Sequence, residues 1–240
     1  PDDLQKKFLP QVLALSEEYS INQLMPLMAK GNSATESEKL EAAKTMSRFS
    51  GISEEAIISY NLDVPTTFFW KELLREEGFT IGRLDSRYKG IDKIAGGDRP
   101  DYWAELTSWN HSFAPAINYY FKNVLKFETD VKYNLFGPVY PWDWKNNNSG
   151  ESLRKAMAAN PYLHTMIQSG YYDGATRYFD AKYTMWQLDP SGKMKDRLSF
   201  EGYRSGHMMY LREVDLIKSN SDIRKFIKKT IPSSTKPAKY

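Results

Sequence analysis

Apolar residues recur at helical spacing through the first part of the chain, where Phe8, Val12, Leu15 and Tyr19 fall on one face of a predicted helix. Thr35-Glu36-Ser37-Glu38 reads as a capping box, and the helix that it opens ends near Gly51. Ser53 and Thr66 are predicted caps of two further short helices, the second carrying Phe68, Phe69, Trp70 and Leu73. From Phe79 to Asp101 the periodicity stops. Gly82-Arg83-Leu84-Asp85-Ser86-Arg87 and Gly96-Gly97-Asp98-Arg99-Pro100 suit an irregular excursion better than an element interior. A helical pattern returns from about Phe113 to Phe127, with Ile117, Phe121 and Val124 predicted to face inward.

After the aromatic loop Phe136-Gly137-Pro138-Val139-Tyr140-Pro141-Trp142 the pattern alternates. Helix Glu151 to Ala159, strand Tyr162 to Gln168, helix Thr176 to Leu188, strand Arg197 to Tyr203 and a helix over about Leu211 to Lys228 follow in turn. Such alternation predicts parallel strands joined by crossover helices, hence an α/β fold class. The expected division is a helical region over 1–135, an α/β region with a few parallel strands over 136–230, and a flexible polar tail over 231–240.

Charge narrows the partners only slightly. Lysine and arginine number 33 against 30 acidic residues, a net +3 spread along 240 residues, so nucleic acid is not an expected partner. No transmembrane run exists, and no membrane partner is expected. The absence of cysteine excludes disulfides and thiolate metal sites without fixing a compartment. Pro1 follows neither an initiator methionine nor an apolar signal core, so the start reads as processed or truncated.

The chemistry concentrates in two loops, Ser169-Gly170-Tyr171-Tyr172-Asp173 and Ser205-Gly206-His207-Met208, each at the carboxyl end of a predicted strand. A triad needs a histidine that takes the nucleophile's proton and a carboxylate that orients the imidazole; Asp173 and His207 suit those roles. They stand 34 residues apart, room for one crossover helix and one strand. Their order, aspartate before histidine, also fits an α/β-hydrolase. The alternative is that Asp173 caps the helix starting near Thr176 while His207 sits in a turn. Tyr171, Tyr172 and Met208 flank the pair as candidate substrate-binding residues.

Other candidates are weaker. His164 falls inside a predicted strand and His111 just before a helix, both read as structural; their spacing supports no metal site, and no cofactor is expected. Gly150-Glu151-Ser152 begins like a nucleophile turn. The preceding run Lys145-Asn146-Asn147-Asn148 is not a strand, however, and Arg154 stands where the turn demands a small residue. Ser152 is therefore read in the first turn of a helix capped by Ser149. Trp103, Trp109, Trp142, Trp144, Tyr119 and Tyr120 are open to two readings, a binding-pocket wall or packing between helical region and core. Lys218, Arg224, Lys225, Lys228 and Lys229 read as a solvated basic helix end.

From about Leu62 to Ile227 the chain resembles the C-terminal portion of bacterial serine carboxypeptidases. The matching segments are Gly82-Arg83-Leu84-Asp85-Ser86-Arg87, Val139-Tyr140-Pro141-Trp142-Asp143-Trp144, Leu153-Arg154-Lys155-Ala156-Met157, Ser169 to Thr176 and Gly206-His207-Met208-Met209-Tyr210. The resemblance implies an α/β-hydrolase core with a helical lid, a peptide substrate, and release of C-terminal residues through an acyl-enzyme. Asp173 and His207 take the triad positions by motif match. The family's Gly-Glu-Ser-Tyr nucleophile turn, its oxyanion hole and its carboxylate-recognising groups lie upstream of the matched region. The chain alone is accordingly expected to be inactive. It would need its N-terminal half or self-associate through exposed strand edges. The family leans towards a periplasmic or secreted location. A non-catalytic lid that binds peptides or proteins, and a carboxypeptidase-like acyltransferase, remain alternative readings.

Overall fold

The computed structural model describes residues 4–135, 137, 141, 143, 145 and 147–231. Most of the aromatic loop (Phe136, Pro138, Val139, Tyr140, Trp142, Trp144) and the tail from Pro232 lie outside the described residues. Packing divides the chain into two compact units, Pro1–Ile81 with Lys89–Tyr102, and Gly82–Tyr88 with Trp103–Tyr240.

The first unit is helical. Helix α1 (Leu9–Tyr19) runs through a π-helical turn, Ser20–Leu24, into α2 (Met25–Ala29). Phe8 is the residue before α1 rather than part of its inward face, and its ring is exposed. Helix α3 (Glu36–Ser50) starts as its sequence dictates. The Thr35 hydroxyl accepts from Glu38 N at 3.2 Å and the Glu38 carboxylate accepts from Thr35 N at 2.8 Å. Gly51, at φ 82°, closes it in the left-handed conformation that glycine reaches without a Cβ clash. Thr35→Ala removes the N-terminal acceptor, with an expected loss of about 1 kcal/mol read from the shift in urea midpoint.

Ser53 caps α4 (Glu54–Ser59) as predicted, accepting from Ala56 N at 3.1 Å. The cap of α5 (Thr66–Glu72) is Pro65, and Thr66 is the first helical residue. Proline's fixed φ and extended ψ supply the entry that the sequence reading gave to the threonine. Ala42, Ala43, Ile52, Ile57 and Leu62 form the core of this unit, with Leu73 and Phe69 packed on it. The strands β1 (Thr80–Ile81) and β2 (Lys89–Gly90) pair antiparallel. The glycine-rich stretch that follows is irregular, as expected, but fixed at one end: Lys71 on α5 ion-pairs with Asp92 and donates to the Ile94 carbonyl at 2.6 Å. Both charged side chains are buried, so each supplies the other's compensation.

The second unit is mixed helix and strand. Helix α6 (Glu105–Tyr119) begins earlier than the predicted Phe113 because its inward anchor is the buried Trp109. Its continuation, Tyr120–Val124, is a π-helical turn, and Val124 faces solvent instead of the core. Strands β3 (Thr165–Gly170) and β4 (Leu198–Tyr203) pair in parallel, from Thr165 opposite Leu198 to Gly170 opposite Tyr203. This is the predicted βαβ order, and the α/β class holds at that level. Helices α7 (Ser149–Ala159) and α8 (Tyr178–Leu188) pack on each other, and α8 also contacts both strands. Asn148, not Ser149, is the residue before α7, and Ser149 is its first helical residue. Arg197 ties the end of α7 to the start of β4 by donating to the carbonyls of Met157 (2.6 Å) and Asn160 (2.9 Å).

Helix α9 (Glu213–Thr230) meets the sheet through polar groups. Gln168 donates to the Tyr203 hydroxyl at 2.7 Å and to Ser219 at 3.0 Å, and Tyr203 donates to Asp222 at 3.2 Å. Burial pushes the Tyr203 hydroxyl up, and Lys218 with Tyr203 outweighs burial to hold Asp222 below the usual carboxylate range. The helix's apolar row Leu216, Ile223 and Ile227, spaced by whole turns, is exposed instead.

Candidate active site

Asp173 lies on the turn after β3, and the chain reaches this turn through a backbone contact that only glycine allows. A Cβ on Gly170 would stand 2.1 Å from the Gly206 carbonyl oxygen and 2.4 Å from that of Ser205. Side by side, the two strand ends are then stitched by Tyr171 N to Tyr203 O (2.9 Å) and Tyr172 N to Ser205 O (3.0 Å). This places the loops after both strands together, at the carboxyl edge of the parallel pair.

Asp173 makes two sets of contacts, and it does not cap α8, whose preceding residue is Arg177. Its Oδ1 accepts from the amides of Ala175 (2.8 Å) and Thr176 (2.9 Å), closing the turn before α8. Its Oδ2 lies 2.8 Å from His207 Nδ1. The carboxylate side chain is 5% exposed and the imidazole 46%, so one partner is fixed inside while the other faces solvent. No described residue hydrogen-bonds Nε2 of His207. With Nδ1–H donated to the aspartate, Nε2 is the basic nitrogen.

A third segment completes the corner. Loop Gly82–Tyr88 packs directly on the histidine turn: Leu84 O accepts from His207 N at 2.7 Å, Tyr172 O from Ser86 N at 2.9 Å, and Arg83 O from Gly174 N at 3.0 Å. A Cβ on Gly206 would come within 2.5 Å of Leu84 O. Asp85 and Arg87 hold the loop through Nε to Oδ1 (2.9 Å) and Nη2 to Oδ2 (2.6 Å), while Nη1 reaches the Arg204 carbonyl at 2.9 Å. The Asp85 partnership raises the Arg87 guanidinium further above its already high range. Beneath the loop, Glu105 of α6 accepts from Leu84 N at 2.7 Å.

The sequence-predicted residues are distributed unevenly around this corner. Tyr171 stacks edge-on against Tyr178 at 5.3 Å and occupies the space above Gly202. Tyr172 carries the Arg87 guanidinium 5.2 Å over its ring, and Met208 leads into a short 3-10 turn, Met209–Leu211. Ser152 is inside α7, where its amide donates to Asn148 O at 2.9 Å. His111 lies within α6 with Nδ1 2.5 Å from the Thr107 carbonyl, not before the helix. His164 immediately precedes β3, and burial, reinforced by Arg197 and Lys229, lowers its pKa.

The loop Gly82–Tyr88 and Glu105 are site components that the sequence reading did not place here. A signal existed in the unusual run Gly82-Arg83-Leu84-Asp85-Ser86-Arg87, but the contacts that bring it to the two strand-end loops and to Glu105 are long-range. Comparison of the chain with protein-family models, with curated proteins and with solved structures yields no match.

Proposed function

We propose that Asp173 and His207 are the acid–base pair of a serine carboxypeptidase, within the C-terminal part of an α/β-hydrolase core whose helical lid lies in the region up to residue 135. The observation that supports this best is the 2.8 Å contact between a buried carboxylate and an outward-facing imidazole, on loops following two adjacent parallel strands. In this reading a serine supplied from outside the chain attacks the terminal peptide carbonyl. Its proton passes to His207 Nε2 as the Oγ–C bond forms, and the same proton goes to the leaving amine as the C–N bond breaks. Water, activated by Nε2, then releases the acyl group. Asp173 stays ionised throughout and stabilises the transient imidazolium.

Labelling of the purified chain with a fluorophosphonate probe, followed by peptide mapping, tests this. No adduct is expected on the chain alone. Co-expression with the polypeptide encoded upstream of Pro1 is expected to give an adduct on that polypeptide's serine, lost in His207→Ala. An adduct at Ser152, or none in the presence of the upstream polypeptide, overturns the reading.

A second reading, a peptide- or protein-binding module without turnover, draws on the concavity of 1020 Å³ around Phe121, Phe127 and Tyr133. The rings of Phe127 and Tyr133 flank Phe121 at 6.2 and 5.5 Å and are partly exposed. Peptide binding without any serine adduct in the complemented protein would favour it.

A further inference from the structure

Glu105 is a carboxylic acid with no exposed surface, and its Oε2 has no hydrogen-bond partner among the described residues. A buried polar atom without a partner is costly, so its retention calls for a reason. Oε1 accepts from the Leu84 amide at 2.7 Å, and the carbonyl of the same Leu84 accepts from the His207 amide at 2.7 Å. Two short hydrogen bonds through one residue therefore connect this carboxyl to the backbone of the histidine. The packing leaves little slack: a Cβ on Gly82 would sit 2.4 Å from both Glu105 Oε2 and the Asp85 carbonyl oxygen.

We propose that Glu105 is a positioning residue for His207, holding the imidazole at Asp173 through the Leu84 residue. The proposal rests on reading Asp173 and His207 as an acid–base pair, and it adds a control of that pair from outside it.

Charge is the means of control. Burial is the main cause that raises the Glu105 pKa, against the backbone amides of Leu84, Glu105 and Arg83, which work in the opposite direction, and the Asp85 carboxylate adds a smaller upward push. Asp85 is paired with Arg87, so no cation is left over from that pair to compensate a charged Glu105. Other charged or titratable groups on the surrounding elements include Arg83, stacked 4.3 Å over Trp103, Tyr88, Tyr172 under the Arg87 guanidinium, and the Asp173–His207 pair itself. While neutral, Glu105 fills its site without a buried charge. Once ionised, the carboxylate holds the Leu84 amide more tightly but leaves a buried charge at Oε2, and the water that hydrates it opens the packing under the loop that carries the Leu84–His207 contact. The folded carboxyl keeps its proton to higher pH than the unfolded one. Folded stability therefore falls as pH rises from the ordinary glutamate value through the raised one.

Amide NMR titration with hydrogen exchange on the wild type, Glu105→Gln and Glu105→Ala tests this without relying on turnover. In the wild type the Leu84 amide shift is expected to follow a carboxyl titrating above the ordinary glutamate range. His207 amide protection is expected to fall with it, by about 10-fold. Glu105→Gln keeps the carbonyl acceptor and cannot ionise, so protection should persist across that range and the pH-linked loss of stability should disappear. Glu105→Ala should show low His207 protection at every pH. Should the alanine variant not fold, the glutamine variant still decides. An unchanged titration in Glu105→Gln, or wild-type His207 protection in Glu105→Ala, overturns the proposal. Intact amide results alongside a failed serine-labelling test would refute the carboxypeptidase reading and leave Glu105's role standing.

Discussion

Asp173→Asn is expected to lower kcat of the serine-complemented protein by about 10⁴-fold, with little change in KM. The structure makes this substitution unusually clean. The asparagine carbonyl can replace Oδ1 and keep the bonds to the amides of Ala175 and Thr176, so the turn survives. The amide nitrogen then stands where Oδ2 faced Nδ1. A donor at that place requires an unprotonated Nδ1, which moves the imidazole proton to Nε2 and leaves no base for the serine. Asp173→Ala removes both functions, so its additional loss of stability, relative to the asparagine variant, measures the turn bonds together with the remaining contact to the imidazole. Peptide hydrolysis at saturating substrate, with melting curves of both variants, separates the two effects. Wild-type kcat in Asp173→Asn would exclude the pair from the chemistry.

Gly170→Ala is expected to destabilise the second unit by about 3 kcal/mol, the upper end of ordinary overpacking. The new methyl would meet two carbonyl oxygens at 2.1 and 2.4 Å, and both belong to backbone that cannot rotate away as a side chain would. Relief requires the β3 and β4 ends to part, which also pulls Asp173 from His207. At about 2–4 °C per kcal/mol for a unit of this size, the melting temperature should fall by roughly 10 °C. Gly96→Ala is the matching control, since a Cβ there meets nothing within 4 Å. Equal melting temperatures for Gly170→Ala and Gly96→Ala would show that the strand ends are not in the contact described.

Elements that carry a local signal are legible in the sequence, and contacts between distant segments are not. The order of α7, β3, α8, β4 and α9 was readable because each element carries its own period and the strand–helix alternation permits few topologies. Asp173 and His207 were readable for the same reason: strand ends in a parallel pair lie side by side. Thr35 and Ser53 announced their helices through a bond three residues away. At α5 the residue before the helix is Pro65, which sets the entry by backbone conformation and leaves no polar signature. Glu105 and Leu84 are 21 residues apart, and Ser86 reaches Tyr172 through its backbone amide. No periodicity encodes such bonds, so a loop read as irregular became the floor of the site. The inward face of α9 was also hidden, since Asp215, Ser219 and Asp222 are the buried positions.

That inverted helix has a consequence for abundance. Leu216, Ile223 and Ile227 are 48%, 39% and 50% exposed, while Ser219 and Asp222 are hydrogen-bonded to Gln168 and Tyr203 of the sheet. Covering such a row stabilises the folded chain only in proportion to how much of the covering molecule is present. A molecule that did cover the row would slow proteolysis of the chain to an extent set by its own free concentration.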